Sequence, residues 1–298
     1  MKVFVTGATG FVGSAIVQEL IDSGHQVVGL SRNEESDKKL TAVSTQPHRG
    51  DLNDLDSLRS GAASADGVIH TAFNHDFSKF KESCENDKRV IEVLGDVLGG
   101  SDRPLIITSG VGLLERGRLV NEKDMPAPGP NPRIASEEAA DVVAGRGVRV
   151  SVVRLSPSVH GEGDHAFIPT LIKIAREKGI SVYEGEGINT WPAVHRLDAA
   201  KLFRLALEKS ADGGTRYHGV AEEGIPFREI AEAIGKGLNI PVVSKSKEEA
   251  AVHFGPFAHF AAMDNHASSK KTQEALAWHP LQPGLIADLA RKFYFSAK

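Results

Sequence analysis

The chain opens with a short apolar run that gives way to glycines and then to an amphipathic stretch. Val3 to Val5 is apolar and mostly β-branched, which predicts a buried parallel strand. Between Phe11 and Ser23 the apolar residues recur at helical spacing, which predicts a helix with one buried face. The side chains that define this face are Val12, Ile16, Val17, Leu20 and Ile21.

The same alternation of strand and helix continues along the first half of the chain. Apolar runs predict further strands at Gln26 to Leu30, Ala42 to His48, Asp66 to Thr71, Pro104 to Thr108 and Val148 to Leu155. Helical patterns lie between them at Leu55 to Leu58, Phe77 to Leu98 and Ile134 to Ala144, and residues 112 to 132 are predicted to be a loop. Strands that alternate with helices predict an α/β fold with a doubly wound parallel sheet.

The glycines between the first strand and the first helix have a spacing suited to a dinucleotide. Gly7 permits a tight turn, Gly10 lets the backbone approach a pyrophosphate, and Gly13 lets the helix pack closely on the strand. Backbone N–H groups and the helix dipole then favour an anion at this turn. The sequence therefore predicts a Rossmann-type site, with Thr9, Phe11 and Val12 completing the contact; the plainer alternative is an ordinary strand-loop-helix turn.

The second and third strands are expected to hold the adenosine half of the dinucleotide. At the end of the second strand stand Ser31 and Arg32, and no acidic residue occurs before Glu34. An acid here would bind the ribose of NAD, whereas an arginine accommodates the 2′-phosphate of NADP, so we predict NADP. Asp51 is placed to accept from the adenine amine, with Leu52 covering the ring; Asn53 or Asp54 is expected to cap the following helix.

Beyond Leu155 the pattern changes. Ser156 to His165 is a polar loop at the carboxyl end of a strand, where open α/β sheets bind ligands. We predict a dinucleotide-binding domain over 1–155, to which 190–222 returns, and a smaller substrate lobe made of 156–189 and 223–298. The predicted elements of this part are helices at Phe167 to Lys178, Leu197 to Lys209, Phe227 to Leu238, from Lys247 and at Leu285 to Phe293, with strands at Trp191 to His195 and Pro241 to Val243.

Composition narrows the class of protein. The 298 residues are 41% hydrophobic and 25% charged, which is typical of a globular protein. A net charge of −4 argues against nucleic-acid binding, and no apolar run is long enough to span a bilayer. Cys84 is the single cysteine, and the glycine turn interrupts the apolar start, so we expect a cytoplasmic monomer or homodimer without a signal peptide.

The chain resembles the extended short-chain dehydrogenases/reductases of the NAD-dependent epimerase/dehydratase group. The matching stretches are Thr6 to Gly13, Gly50 to Leu52, Ile69 to Ala72, Asn86, Thr108 to Ser109, Arg154 to Gly161, Trp191 to Asp198 and Leu276 to Pro280. The resemblance implies that a Rossmann core binds the cofactor and that a C-terminal lobe closes over the substrate. It also implies that Thr71, Ala72, Phe73 and Pro157 lie beside the cofactor.

One part of the chain departs from that family. The family's chemistry uses a tyrosine, a lysine four residues later, and a serine or threonine after the fifth strand. Arg133 and Glu137 stand where the tyrosine and lysine are expected, and the serine position falls at Gly110 or Val111. Tyr294 and Lys298 have the required spacing, but we expect the last residues to be frayed and uninvolved. The chain thus resembles the atypical branch that lacks the usual pair.

Other side chains are candidates for the missing chemistry. His160 and His165 follow the sixth strand and His75 follows the fourth, and histidine can exchange protons near neutral pH. Arg133 could polarise a carbonyl or bind a substrate anion; its plainer role is an ion pair with Glu137. Ser109 and Ser136 are possible hydrogen-bond donors, and each histidine has the plainer reading of a polar loop residue.

Two further clusters carry weaker expectations. His160, His165 and His195 lack the spacing of a recognisable metal site, so no metal is predicted. The run Phe254, Phe257, His259 and Phe260 is placed on a lobe surface facing the cleft, although aromatic runs are more often core.

The expected function is an NADP-dependent oxidoreductase acting on a small carbonyl or alcohol, with Ser109, Arg133 and His160 as candidate catalytic residues. Two alternatives stay open. One is a redox-inactive NADP-binding sensor, which the loss of the Tyr-Lys pair suits. The other is a sugar-nucleotide epimerase or dehydratase.

Overall fold

The computed structural model describes residues 1–127, 129, 131–209 and 212–296. The strands are β1 (Lys2–Thr6), β2 (Gln26–Ser31), β3 (Gln46–Arg49), β4 (Gly67–His70), β5 (Leu105–Gly110), β6 (Leu119–Val120), β7 (Val150–Leu155), β8 (Ser158–His160), β9 (Ser181–Glu184), β10 (Thr190–His195), β11 (Thr215–Gly219), β12 (Glu222–Pro226), β13 (Val242–Lys245) and β14 (His266–Ala267).

Helices cover both faces of the main sheet and build much of the remainder. They are α1 (Phe11–Asp22), α2 (Glu34–Ala42), α3 (Leu55–Ala63), α4 (Phe80–Leu98), α5 (Ala135–Gly145), α6 (Phe167–Lys178), α7 (Arg196–Lys209), α8 (Phe227–Leu238), α9 (Lys247–Phe254), α10 (Ala258–Ala261), α11 (Lys270–Leu276) and α12 (Leu285–Leu289).

The main sheet has seven strands in the order β11-β7-β5-β4-β1-β2-β3, and the neighbouring strands pair in parallel. This confirms the predicted doubly wound α/β fold. The chain runs outward from β1 in one direction and then from β4 in the other. A crevice therefore opens at the carboxyl ends of β1 and β4, which is where such sheets bind their ligands.

Successive side chains of a strand point to opposite faces of the main sheet, and the core therefore has two layers. Val3 and Val5 point to the layer that contains α1 and α7, whereas Phe4 points to the layer that contains α3, α4 and α5. All three side chains are fully buried. A strand covered on both faces must be apolar at every position, which is why Val3 to Val5 reads as an uninterrupted apolar run.

The remainder of the chain forms a second core built on aromatic rings. The rings of Phe167, Trp191, Phe227, Phe254, Phe257 and Phe260 pack against one another with centroids 4.7 to 6.3 Å apart. Phe254 has the core role that is commoner for aromatic runs and does not face a cleft, because only 6% of this residue is exposed. Phe257 and Phe260 are partly buried against the same cluster, and His259 is exposed.

Smaller sheets connect this second core to the main sheet. The order β12-β10-β8 forms one sheet, in which β8 pairs in parallel with β10. The segment expected to be a polar loop thus contains a strand, and its Ser158 and His160 side chains are buried. Of the segment 190–222, α7 packs on the face of the main sheet and β11 joins its edge, whereas β10 does not.

Several boundaries differ from expectation for local reasons. The strand expected at Ala42 to His48 begins only at Gln46, because the preceding residues up to Ala42 belong to α2. The side chain of Asn33, just before this helix, caps it by accepting from Ser36 N. The last helix ends at Leu289, and a 3₁₀ turn follows at Lys292–Tyr294.

The long loop at 112 to 132 is also more ordered than expected. Within this loop, β6 pairs with β14 and so joins the loop to the C-terminal part of the chain. Pro128 and Pro130 of this loop lie outside the described residues.

The described residues lack two features, a membrane-spanning helix and a cluster of metal ligands. They contain no helix that is both long and apolar enough to cross a membrane. Nor do these parts of the chain bring together three or more His, Cys, Asp or Glu side chains that could hold a metal ion.

Candidate active site

The glycine turn is shaped for close approach of the backbone. Gly7 has φ +71°, and a Cβ there would lie 2.8 Å from the backbone nitrogen of Ala72. A Cβ on Gly13 would lie 1.9 Å from the carbonyl oxygen of Gly7. The first and third glycines are therefore required by the turn itself, which brings the end of β1 against the end of β4.

Gly10 serves a different purpose from the other two glycines. A Cβ there would meet only the carbonyl oxygen of Gly7, at 3.1 Å, and the backbone is extended, with φ −75°. Gly10 is the N-cap of α1, and no side chain caps this helix. The exposed Thr9 and Gly10, followed by the half-buried Phe11 and Val12, leave the start of α1 open to an anion. The turn thus fits the pyrophosphate of a dinucleotide.

The ends of β2 and β3 lie beside this turn. Arg32 is exposed, whereas Ser31 is fully buried and its hydroxyl donates to the carbonyl oxygen of Asn33. The geometry therefore leaves Arg32, and not the Ser31 hydroxyl, available to a ribose phosphate. Asp51 Oδ1 accepts from the backbone N–H of Asn53, and Leu52 is half-buried.

Asp54, one of the two expected caps, is the cap of α3, because its carboxylate accepts from Ser57 N. The helical Asn86 donates to the carbonyl oxygen of Leu52 and so ties α4 to this loop.

A buried charged cluster supports the end of β4. His70 Nε2 lies 2.9 Å from Asp87 Oδ1, and His70 Nδ1 lies 2.7 Å from the hydroxyl of Thr6. Arg133 Nη1 donates to Asp87 Oδ2 over 2.8 Å, and Ser136 also bonds to this carboxylate. Burial would raise the pKa of Asp87, but the hydrogen bond and charge of His70 and the charge of Arg133 lower this pKa to about 2.

Arg133 is held at the mouth of the crevice by this cluster. Its guanidinium lies 4.3 Å from the ring centroid of Phe73 and donates to the carbonyl oxygen of Thr108. Its side chain keeps 17% exposure. Arg133 does not form the alternative ion pair with Glu137, because it belongs to a 3₁₀ turn that precedes α5 and points toward Asp87 on α4.

A second buried cluster lies beneath the end of β5. Ser109 is in register with Arg154 of the neighbouring strand. Arg154 Nη2 pairs with Glu137 Oε2 over 2.6 Å, and the Ser109 hydroxyl donates to Glu137 Oε1 over 2.8 Å. Burial opposes ionisation, but the hydrogen bonds of Arg154 and Ser109 and the charge of Arg154 still lower the pKa of Glu137.

This pairing changes the interpretation of Ser109. Only 6% of Ser109 is exposed and its proton is directed at Glu137, so the geometry does not support the predicted role of this hydroxyl at a substrate. The carboxylate of Glu137, the residue that the sequence analysis aligned with the family's lysine, pairs inside the fold with Arg154.

His160 lies apart from the crevice. Only 1% of it is exposed, and its Nδ1 lies 2.7 Å from Asp288 Oδ2 of α12. The geometry does not support His160 as a proton donor, because its ring is enclosed between Asp288 and His195. Pro157, just before β8, is half-buried.

Two exposed histidines, His75 and His165, lie on loops beside the crevice. His75 has its ring centroid 5.2 Å from that of Phe73, and His165 lies 5.9 Å from Phe11. Desolvation, followed by the positive charge of Arg133, lowers the pKa of His75.

Tyr294 is not frayed, contrary to the expectation from its position near the end of the chain. Its hydroxyl donates to Asp164 Oδ2 over 3.0 Å and accepts from the backbone N–H of Gly161. Burial, then the charge of Asp164, raise the pKa of this phenol. Lys298, the other half of the rejected pair, lies outside the described residues.

Replacing Tyr294 by phenylalanine should lower the free energy of unfolding and leave turnover unchanged. Loss of a buried hydrogen bond to a carboxylate costs about 1.5–3 kcal/mol. Urea unfolding measures this cost, with Tyr183→Phe on β9 as the control. A large fall in turnover at unchanged cofactor affinity would show instead that Tyr294 takes part in the chemistry.

From the sequence alone, His70 and Asp87 were not identified as members of the buried clusters, nor was Arg154 identified as the partner of Glu137. A signal was present, since Asp87 falls on the buried face of α4 with Cys84, Val90 and Ile91. Arg154 likewise interrupts an apolar strand. A charged residue at a buried position usually has a partner, but the sequence does not say which one.

The fold and the glycine turn define a nucleotide-binding α/β protein, and comparisons with known proteins agree. Residues 3–91 match the model of the NAD dependent epimerase/dehydratase family. An uncharacterized protein of Schizosaccharomyces pombe is 54% identical over 99% of this chain and 100% of its own length. The 2-alkyl-3-oxoalkanoate reductase of Stenotrophomonas maltophilia is 26% identical over 83% of this chain and 78% of its own.

A solved structure, MoeE5 in complex with UDP-glucose and NAD, superposes with a TM-score of 0.77 at 22% identity, covering 98% of this chain and 97% of its own. Residues 3–91 therefore carry the NAD-dependent epimerase/dehydratase domain, and the whole chain shares the fold of this solved structure. Members of this family are NAD(P)-dependent oxidoreductases and epimerases.

Proposed function

We propose that the protein is an NADP-dependent oxidoreductase that reduces a small carbonyl compound or oxidises the corresponding alcohol. The observation that carries this proposal is the fixed cation, Arg133, at the mouth of the crevice where the family's tyrosine is expected. A bound nicotinamide supplies hydride chemistry in this family. What the chain itself must supply is stabilisation of negative charge on the substrate oxygen.

Arg133 is suited to that role. A guanidinium held by Asp87 and by the Phe73 ring keeps its orientation, so it needs no reorganisation when charge develops on an oxygen. It acts as a fixed positive charge and not as an acid. His75, an exposed histidine on the same loop as Phe73, is our candidate for exchanging a proton with this oxygen.

The cofactor preference rests on Arg32. It stands exposed at the end of β2, and the nearby Glu34, Glu35 and Asp37 belong to the first turn of α2. Arg32 has no ion pair among the described residues, so its charge is available to a 2′-phosphate.

Arg32→Ala should therefore remove most of a preference for NADPH over NADH. A charge-assisted contact to phosphate is worth about 1.5–3 kcal/mol, so the affinity ratio should fall by roughly tenfold or more. Fluorescence titration with both cofactors measures the ratio, and Arg146→Ala, at the far end of α5, serves as the control. Equal affinities in the unmutated protein would refute the NADP assignment.

The activity is tested by following NADPH absorbance with a panel of aldehydes and ketones. If Arg133 stabilises the substrate oxygen, Arg133→Gln should lower kcat by about 10²-fold, as the loss of one preorganised donor does elsewhere. NADPH affinity, measured by titration, should change little. An unchanged kcat would remove Arg133 from the chemistry.

The same assay distinguishes the oxidoreductase from a second candidate function. The burial of His160 and the engagement of Ser109 by Glu137 favour a redox-inactive NADP-binding sensor, because two of the three candidate groups are withdrawn from the crevice. Tight NADPH binding without turnover of any carbonyl would support the sensor. Neither of these side-chain arrangements specifically favours a sugar-nucleotide epimerase.

A further inference from the structure

Arg196 is a half-buried cation at the edge of the crevice that neither the glycine turn nor the buried clusters employ. It is the first residue of α7, and its guanidinium carbon lies 5.0 Å from the ring centroid of Phe11. Its Nη1 donates to the backbone carbonyl of Glu162 over 2.8 Å. These two contacts fix the guanidinium beside the first residue of α1.

The charge of Arg196 is not neutralised within the described residues. None of their carboxylates lies within 4.0 Å of its nitrogens, in contrast to Arg133 and Arg154, which each pair with a buried acid. Burial lowers the pKa of the Arg196 guanidinium, and the charge of the exposed Glu162 opposes this. A partly desolvated cation without a carboxylate is stabilised when an anion binds beside it.

The loop that faces Arg196 leaves room for this side chain. A Cβ on Gly163 would lie 3.4 Å from Arg196 Nη1, and a Cβ on Gly161 would lie 3.2 Å from Arg196 Cγ. Both glycines have positive φ, +89° and +132°. On the same loop, His165 packs edge-on against Phe11. The 161–165 loop thus holds the Arg196–Phe11 contact in place without closing over it.

We propose that Arg196 binds the diphosphate of the dinucleotide from the side of α7. Phe11 opens α1, whose uncapped N-terminus is the end that attracts the diphosphate, so a guanidinium held over Phe11 lies next to that anion. The helix supplies backbone N–H groups and Arg196 adds a full charge with several donors. This inference rests on dinucleotide binding within the proposed function, and it is independent of redox activity.

Isothermal calorimetry with three probes tests the assignment. NADPH and 2′-phospho-ADP-ribose both carry the diphosphate, whereas 2′-AMP does not. Arg196→Met should lower the affinity for NADPH and for 2′-phospho-ADP-ribose by about tenfold or more, as expected for a lost charge-assisted contact. The affinity for 2′-AMP should change by no more than about twofold. Arg196→Lys should recover part of the loss. Arg146→Met, an exposed arginine paired with Asp96, is the matched control.

The outcomes separate this inference from its competitors. Unchanged affinity of Arg196→Met for 2′-phospho-ADP-ribose overturns it, and a raised KM for the carbonyl substrate alone assigns Arg196 to a substrate anion instead. An equal loss for 2′-AMP shows a general distortion and also overturns it. Thermal unfolding is checked first, and Arg196→Gln replaces Arg196→Met if the latter does not fold. Failure of the unmutated protein to bind NADPH refutes the proposed function itself.

Discussion

Gly10→Val is expected to abolish dinucleotide binding while the protein stays folded. The backbone at Gly10 is extended, and a Cβ there would make one tight contact, 3.1 Å from the carbonyl oxygen of Gly7. The folded state should therefore lose only about 1 kcal/mol. The added methyl groups would, however, project from the N-cap of α1 into the space that the pyrophosphate requires. We expect a loss of affinity of about 100-fold or more.

Calorimetry with NADPH measures the loss, and thermal unfolding measures the cost to the fold. Gly145→Ala is the matched control, because a Cβ there meets no atom within 4 Å. Gly13→Val provides the contrast: its Cβ would overlap the Gly7 carbonyl at 1.9 Å, so it should damage the turn and the fold together. If Gly10→Val binds NADPH normally, the glycine turn serves only the structure.

Glu137→Lys introduces a lysine where the resemblance to the family leads us to expect one, and this change is expected to destabilise the protein and not to raise its activity. Arg154 and Glu137 are 0% and 2% exposed and pair over 2.6 Å, and Arg216 lies 3.6 Å from the same carboxylate. A lysine here would oppose two arginines and leave Arg154 unpaired. Breaking a buried pair costs about 3–5 kcal/mol, and like charges add to this cost.

Urea unfolding gives the free energy of unfolding for this variant. Glu138→Lys, on the exposed side of the same helix, should change it little and is the control. Removing both charges together in Glu137→Met/Arg154→Met should cost less than Arg154→Met alone, because no charge is left buried without a partner. Equal stability of Glu137→Lys and Glu138→Lys would show that the pair contributes nothing.

The sequence by itself was sufficient to predict the fold and the shape of the glycine turn. The run Val3 to Val5, the three glycines and the amphipathic α1 are local patterns, and each predicts its structure without reference to distant residues. The same holds for α6 and α8, whose observed bounds match the predicted ones. Their apolar spacing decides which face is buried, and burial of that face decides the packing.

Only the tertiary structure decided which partner each polar side chain takes. Arg133 and Glu137 stand four residues apart, yet one pairs with Asp87 of α4 and the other with Arg154 of β7. His160 is joined to Asp288, a residue 128 positions away. Side-chain charge is a local property, but its compensation depends on which helix covers which strand. That is the physical reason why the sequence determined the glycine turn, whereas the pairing of the candidate catalytic residues had to be seen in three dimensions.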